Sequence, residues 1–247
     1  MNLIEAKEKI KTDGYCDFNL KDFNEEYYNL FLNYKYSSND SQYLEKFKNI
    51  RFDYQSNDTD KVHLKELLGS YQEVNQLKTQ LLQTYDYQYM SQLWFYADFD
   101  TNAIYNGISL KEVYYSIVNY FYGLPSEDVD LGMQYTCYSE DCFLKDHIDS
   151  CGRLGREFKT TIATCAILIY LNEEWDTSWG GNLVLRNDTL GFNTGVSYSV
   201  VPEFGKVAII DLETYDISHM VEDIKGDHNR CTMLSFCTHT NKQIKLL

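Results

Sequence analysis

The hydrophobic period of this chain changes once, near Pro125, and that change limits the folds open to it. Upstream, apolar residues recur at three- and four-residue steps. Val62, Leu67, Leu68, Tyr71, Val74, Leu77, Leu81, Leu82 and Tyr85 describe one face of a helix, with Asp58, Thr59 and Asp60 as caps. A second helix is predicted from Ser109, which forms a capping-box pattern with Glu112, through Val113, Ile117, Val118 and Phe121 to a stop at Gly123, Leu124 and Pro125. Shorter helices are expected over 2–11 and 22–35, with a loop over 36–42. Downstream of Pro125 the period is two. Segments 131–138, 160–171, 181–186, 196–201, 206–211, 216–221 and 230–238 are rich in Val, Ile, Thr, Tyr and Phe and are separated by Gly, Asn and Asp. Many short strands at this spacing suggest a sandwich or jelly roll. The expected fold is α+β, with a mainly helical portion, 1–128, packed on a β core, 129–247, and not independent of it.

Charge narrows the partners. The formal net charge is −15 and no basic stripe interrupts it, so a long polyanion such as duplex DNA is repelled. No apolar run approaches the ~18 residues of a membrane span, and the opening MNLIEAKEKIKTDG is amphipathic without a signal-peptide apolar core. A cytoplasmic location is expected, with neither nucleic acid nor membrane as partner. Seven cysteines, an odd number with irregular spacing and no CxxC pair, indicate reduced thiols. Cys137, Cys142 and Cys151 are close enough in sequence to raise a zinc site, but lack the paired spacing of one, and buried free thiols are the better reading.

The residues that carry chemistry lie in the second half. In an extended chain, positions i and i+2 project to one face, so His147 and Asp149 of KDHID present an imidazole and a carboxylate side by side. His219, on a distant strand, can close the set. Two histidines and a carboxylate are the facial triad of non-haem Fe(II) oxygenases, which leaves coordination positions open for reactants. Arg230 shares a strand face with Thr232, Leu234 and Phe236. A guanidinium there needs a carboxylate, either an internal one such as Asp227 or that of a bound dicarboxylate. Tyr170, in line with Leu168 and Ala166, needs a hydroxyl partner in the same way.

Taken together, these segments resemble the prolyl-hydroxylase branch of the 2-oxoglutarate/Fe(II)-dependent dioxygenases. The resemblance is carried by Tyr138, by His147-Ile148-Asp149, and by Ile169-Tyr170-Leu171-Asn172 followed by Trp175. Gly180-Gly181-Asn182-Leu183-Val184-Leu185, Val201-Pro202 with Gly205, His219-Met220-Val221 and Arg230 complete it, in order, over 131–238. It implies a double-stranded β-helix core in which His147, Asp149 and His219 bind iron. It also implies that Arg230 and Tyr170 hold the distal carboxylate of 2-oxoglutarate, that Tyr138 lies near the chelating end, and that Leu168, Leu183 and Val221 wall the pocket. The implied reactants are Fe(II), 2-oxoglutarate and dioxygen, with ascorbate as a reductant.

The implied reaction is hydroxylation of an unactivated C–H bond coupled to decarboxylation of 2-oxoglutarate to succinate. Peptidyl proline is the favoured acceptor, with a free amino acid or other small metabolite as the alternative. Two further readings are a non-catalytic jelly-roll binding protein and a zinc hydrolase on the same triad, the second of which leaves Arg230 and Tyr170 without a role. Phe236 stands where nucleic-acid demethylases of this superfamily carry a second arginine. The loop Glu173–Gly180 is expected on the substrate rim, where Trp175 and Trp179 would pack on a peptide unless they fold back on the helices, and Glu173, Glu174 and Asp176 would favour a basic one.

Overall fold

The computed structural model describes residues 1–32, 45–55, 61–98, 104–105, 107–149, 163–187 and 197–240. The chain opens with α1 (Leu3–Asp13), β1 (Tyr15–Asn19), α2 (Leu20–Phe23) and α3 (Glu25–Leu32). It continues through β2 (Asn49–Gln55), β3 (Lys61–Leu67), α4 (Tyr71–Thr84), β4 (Met90–Asp98), and the short pair β5 (Ile104–Tyr105) and β6 (Ile108–Ser109). Then come α5 (Leu110–Tyr122), β7 (Val129–Tyr138), β8 (Phe143–Ile148) and β9 (Ala163–Tyr170). The last five strands are β10 (Leu183–Asn187), β11 (Tyr198–Val200), β12 (Lys206–Asp211), β13 (Ile217–Val221) and β14 (Arg230–His239).

Each of the seven strand segments expected after Pro125 contains an observed strand, and β8 adds one more. The capping box also forms as expected. Ser109 Oγ accepts from Glu112 N, the Glu112 carboxylate accepts from Ser109 N, and Gly123 ends α5 in the left-handed conformation. The first half, however, is less helical than its periodicity implies, because β1, β2, β3 and β4 all lie within it. The long helix expected from Val62 is in fact two elements. Residues 61–67 alternate half-buried and exposed side chains as a strand, and the helix begins only after Ser70, whose hydroxyl caps Glu73 N. Two unrelated apolar patterns meet at Gly69-Ser70 and mimic one helical face. The expected caps at 58–60 and the loop at 36–42 lie outside the described residues.

Twelve strands join in one antiparallel sheet in the order β1-β12-β9-β14-β7-β4-β8-β13-β10-β11, with β2 and β3 attached beside β4, while β5 and β6 pair only with each other. Strand β4 pairs with β7 through Phe95–Asp98 and with β8 through Gln92 and Leu93, so the sheet turns through it. The two flanks, β9, β14 and β7 on one side and β8, β13 and β10 on the other, face each other across a shared cavity. This is an α+β jelly-roll architecture. Behind it, α5 buries Leu110, Val113, Tyr114, Ile117, Val118 and Phe121. Phe121 stacks on Phe18 of β1 at 5.3 Å, and Tyr114 donates its hydroxyl to the Met233 carbonyl of β14.

The six cysteines among the described residues are buried free thiols. Cys137 and Cys231 occupy directly opposed positions on β7 and β14, with sulfurs 3.8 Å apart, and burial raises the Cys137 thiol. Cys151 lies outside the described residues.

The Tyr114 bond ties the helical layer to the strand that carries Arg230. Its loss in Tyr114→Phe is expected to cost about 1 kcal/mol and lower the melting temperature by ~2–4 °C. Thermal denaturation followed by circular dichroism measures this, and an unchanged midpoint would show that the bond contributes nothing.

Candidate active site

His147 and His219 are paired residues of the neighbouring antiparallel strands β8 and β13, which sets their rings 4.2 Å apart, centroid to centroid. Asp149 follows the end of β8. Its two carboxylate oxygens stand 3.3 Å from His147 Nε2 and 3.6 Å from His219 Nε2. The other nitrogen of each ring faces a backbone carbonyl, His147 Nδ1 that of Lys145 at 2.9 Å and His219 Nδ1 that of Ile217 at 3.4 Å. A carbonyl can only accept, so Nδ1–H donates, which leaves Nε2 either to donate to Asp149 when the ring is protonated or, when it is neutral, to offer its lone pair to a metal.

The electrostatics act on the three groups in different directions, and only those on Asp149 and His219 favour the metal-binding forms. Burial raises the Asp149 carboxyl, but the hydrogen bond from His147 and the charges of His219, His147 and Arg51 outweigh it and hold Asp149 below the usual carboxylate range. Burial lowers His219. It works in the same direction on His147, where the hydrogen bond and charge of Asp149 reverse it and leave that imidazole raised. Metal ligation requires an ionised carboxylate and neutral imidazoles, and the three donor atoms lie within 4.8 Å of one another. A divalent transition metal fits this donor set, which occupies one side of an ion and leaves the other open. Among the described residues this is the cluster that could hold a metal, and no cysteine joins it.

Arg230 is 1% exposed at the start of β14, yet no carboxylate among the described residues pairs with it. Asp227 is not its partner. Its Nη1 donates to Thr232 Oγ1 at 3.3 Å and Nη2 to the Tyr170 hydroxyl at 3.2 Å, while Nε has no partner. The guanidinium lies between the rings of Tyr138 and Tyr170, 5.1 and 5.0 Å from their centroids. Because Tyr170 accepts from Arg230, its own proton remains available to a ligand. Asn172 fixes the start of β14, accepting from Cys231 N and donating to Pro202 O. Behind the arginine stem, Gly181 takes a positive φ, and a Cβ there would stand 2.8 Å from Trp175 and 3.4 Å from Arg230 Cδ. The bare glycine lets the indole and the arginine pack together.

Metal cluster and arginine open on one cavity of about 280 Å³. Leu168, Leu183 and Val221 line it, as does Tyr138, which was expected near the chelating end but stands against the Arg230 guanidinium, while Tyr170 is fully buried just behind Arg230. Sequence reasoning missed the wall supplied by the first half of the chain. Arg51 of β2 and Gln92 and Trp94 of β4 line the cavity, with Gln134 and Thr136 of β7 beside them. The alternation Ile50, Phe52, Tyr54 signals a strand, but it also makes Arg51 and Asp53 read as a solvent face, when that face turns to the cavity.

Trp175 and Trp179 do not line the cavity. Trp175 donates Nε1 to Gly180 O, and Trp179 meets it edge-on and stacks on His228 at 3.6 Å. Both indoles are half-buried, packed on each other and, through Trp179, on His228. His63, within the helix expected from Val62, is in β3 and bonds Asp53, and His239 is the last residue of β14. Neither joins the cluster.

His219→Ala is expected to lose metal affinity by more than the ~10–100-fold typical of disrupting an outer-shell contact, with the fold retained. Anaerobic Fe(II) titration alongside far-ultraviolet circular dichroism reads both. Wild-type affinity in the variant would dissolve the triad.

Residues 133–237 match the family model described as the 2OG-Fe(II) oxygenase superfamily. No curated protein sequence matches the chain. Among solved structures, a prolyl-4-hydroxylase from Pseudomonas putida is similar at 14% identity with a TM-score of 0.50, over 95% of this chain and 97% of that one. A prolyl hydroxylase from Trichoplax adhaerens, solved with a hypoxia inducible factor oxygen degradation domain peptide fragment, is similar at 14% identity with a TM-score of 0.51, over 96% and 91%. These two share the fold. The matched segment runs from β7 to β14 and holds the two-histidine, one-carboxylate cluster, so this part of the chain is similar to the 2OG-Fe(II) oxygenases.

Proposed function

We propose that the protein hydroxylates peptidyl proline, with Fe(II) held by His147, Asp149 and His219, 2-oxoglutarate as cosubstrate and ascorbate as supporting reductant. The observation that carries the cosubstrate half of this reading is the buried Arg230 guanidinium, which lacks a carboxylate and opens on the cavity of the metal cluster. The bound iron, with 2-oxoglutarate and dioxygen, supplies the oxidation of the C–H bond. The chain's own residues position the reactants. Arg230 receives the C5 carboxylate, Tyr138 holds the plane of the guanidinium, and the Tyr170 hydroxyl donates a further hydrogen bond. Leu168, Leu183 and Val221 flank the carbon skeleton and keep water from it.

For the acceptor, the family and the two prolyl-hydroxylase folds support proline, and the peptide held by the Trichoplax protein supports a polypeptide. A nucleic-acid acceptor has no support: Phe236 on the cavity wall is apolar, and the chain is strongly acidic.

Proline-containing peptides incubated with enzyme, Fe(II), 2-oxoglutarate and ascorbate are expected to gain 16 Da in step with succinate formation. Turnover of a free amino acid or other metabolite with no peptide oxidised would reject the peptide and leave the iron site standing. Losing a charge-assisted partner of a buried carboxylate costs on the order of 2–5 kcal/mol, so Arg230→Ala should raise the apparent 2-oxoglutarate constant tens-fold or more. Tyr170→Phe, short of one hydrogen bond at about 1 kcal/mol, should raise it roughly five-fold. An unchanged constant in Arg230→Ala would assign the carboxylate to another cation, with Lys225 the first to test.

A further inference from the structure

Arg51 is a second arginine in the same cavity, and we infer that it binds a carboxylate on the molecule to be hydroxylated. The inference rests on the dioxygenase reading and adds the chemical class of its acceptor. Arg51 belongs to β2, far in sequence from the family segment, and its side chain reaches the cavity wall. Among the described residues it makes no hydrogen bond or ion pair, and its Nε is buried without a partner.

Its surroundings are built to hold it. Arg51 and Trp94 are directly paired across β2 and β4, and the guanidinium lies 5.9 Å from the indole. The indole Nε1 donates to Gln92 Oε1 at 2.9 Å, and Gln92 in turn donates to Asp53. Asp53 also bonds His63 at 2.6 Å. Two neighbouring carboxylates have other partners, Asp53 in Gln92 and His63, and Asp149 in the two metal-site histidines. A free guanidinium fork against a fixed indole is suited to a planar bidentate acceptor.

The cosubstrate does not account for it. Arg51, Trp94, Tyr138 and Arg230 form one row across β2, β4, β7 and β14, with Trp94 stacked on Tyr138 at 5.9 Å and Tyr138 paired with Arg230. Three strand spacings separate the two arginines, roughly 14 Å along the sheet. The five-carbon skeleton of 2-oxoglutarate is about 5 Å long at ordinary bond lengths, shorter than this backbone separation, and its distal carboxylate is already assigned to Arg230. Charge leads to the same conclusion. The charges of Fe(II), Asp149, the 2-oxoglutarate dianion and Arg230 cancel, which leaves Arg51 as one positive charge on the cavity wall without an ion-pair partner among the described residues. One carboxylate on the acceptor matches it. That carboxylate can belong to an acidic residue beside the target or to a free carboxylic acid.

The test offers end-blocked proline peptides with Glu, Gln or Lys next to the proline, together with L-proline and L-prolinamide. Wild-type enzyme should favour the Glu over the Gln peptide, or L-proline over the amide, by about ten-fold or more in kcat/KM, and the pair that responds identifies the source of the carboxylate. Arg51→Gln should bring that ratio to near unity, Arg51→Lys should lower it part-way, and Arg51→Glu should turn the preference toward the Lys peptide. Should the glutamine variant fail to fold, the lysine variant carries the comparison. Fluorescence-anisotropy binding of labelled Glu and Gln peptides and competition by L-proline and L-prolinamide, on metal-free protein, should follow the same order. Arg51-dependent binding without oxidation would reject proline as target and uphold Arg51. A carboxylate preference that is absent, or that survives Arg51→Gln, overturns the assignment. So does an Arg51→Gln variant whose only change is a raised 2-oxoglutarate constant, as does failure of every carboxylate probe to bind.

Discussion

A guanidinium buried to 1% exposure with no carboxylate beside it is the costliest group in this molecule, and the catalytic half is arranged to tolerate it. Aromatic faces on two sides, two hydroxyl acceptors and an asparagine that fixes the adjoining backbone hold Arg230 ready. None of these neutralises it. The positive φ of Gly181 and the indole of Trp175 close the space behind, so the charge faces inward to the cavity. The site is thus organised before any ligand arrives, at the expense of stability.

The metal cluster uses a different device. Two histidines that face each other across a ladder need no loop to bring them together, and each is oriented by a carbonyl two residues earlier in its own strand. Ring orientation is therefore set by strand geometry. The carboxylate alone lies beyond the strand end, at the edge of the described segment.

How much of this was legible in the sequence depended on which side of each strand faces a solvent-like interior. Downstream of Pro125 the apolar alternation marks strands, and His147, Asp149, His219, Arg230 and Tyr170 stand out as polar interruptions whose chemistry belongs together. The structure places His147, Asp149, His219 and Arg230 on one cavity, with Tyr170 buried behind Arg230 and bonded to it. In β2 and β4 the same rule misleads. Arg51, Asp53 and Gln92 alternate with apolar residues as a water-facing edge would, and a polar cavity looks like water to a pattern of this kind. The spurious helix from Val62 has another origin. Period two before Gly69 and period 3.6 after Ser70 happen to align, and only the cap geometry at Ser70 separates them.

The pairing of β1 with β12 bears on how the chain is made. Tyr15 lies opposite Ile210, 195 positions later in the sequence. At ~5–20 residues per second of synthesis, the first strand emerges roughly 10–40 s before its partner exists. During that interval the nascent chain exposes Cys16 and Phe18, both fully buried in the finished protein, with no native strand to cover them. The cavity wall supplied by β2 and β4 likewise waits for β7 and β8. Closure of the cavity is therefore a late event in biogenesis.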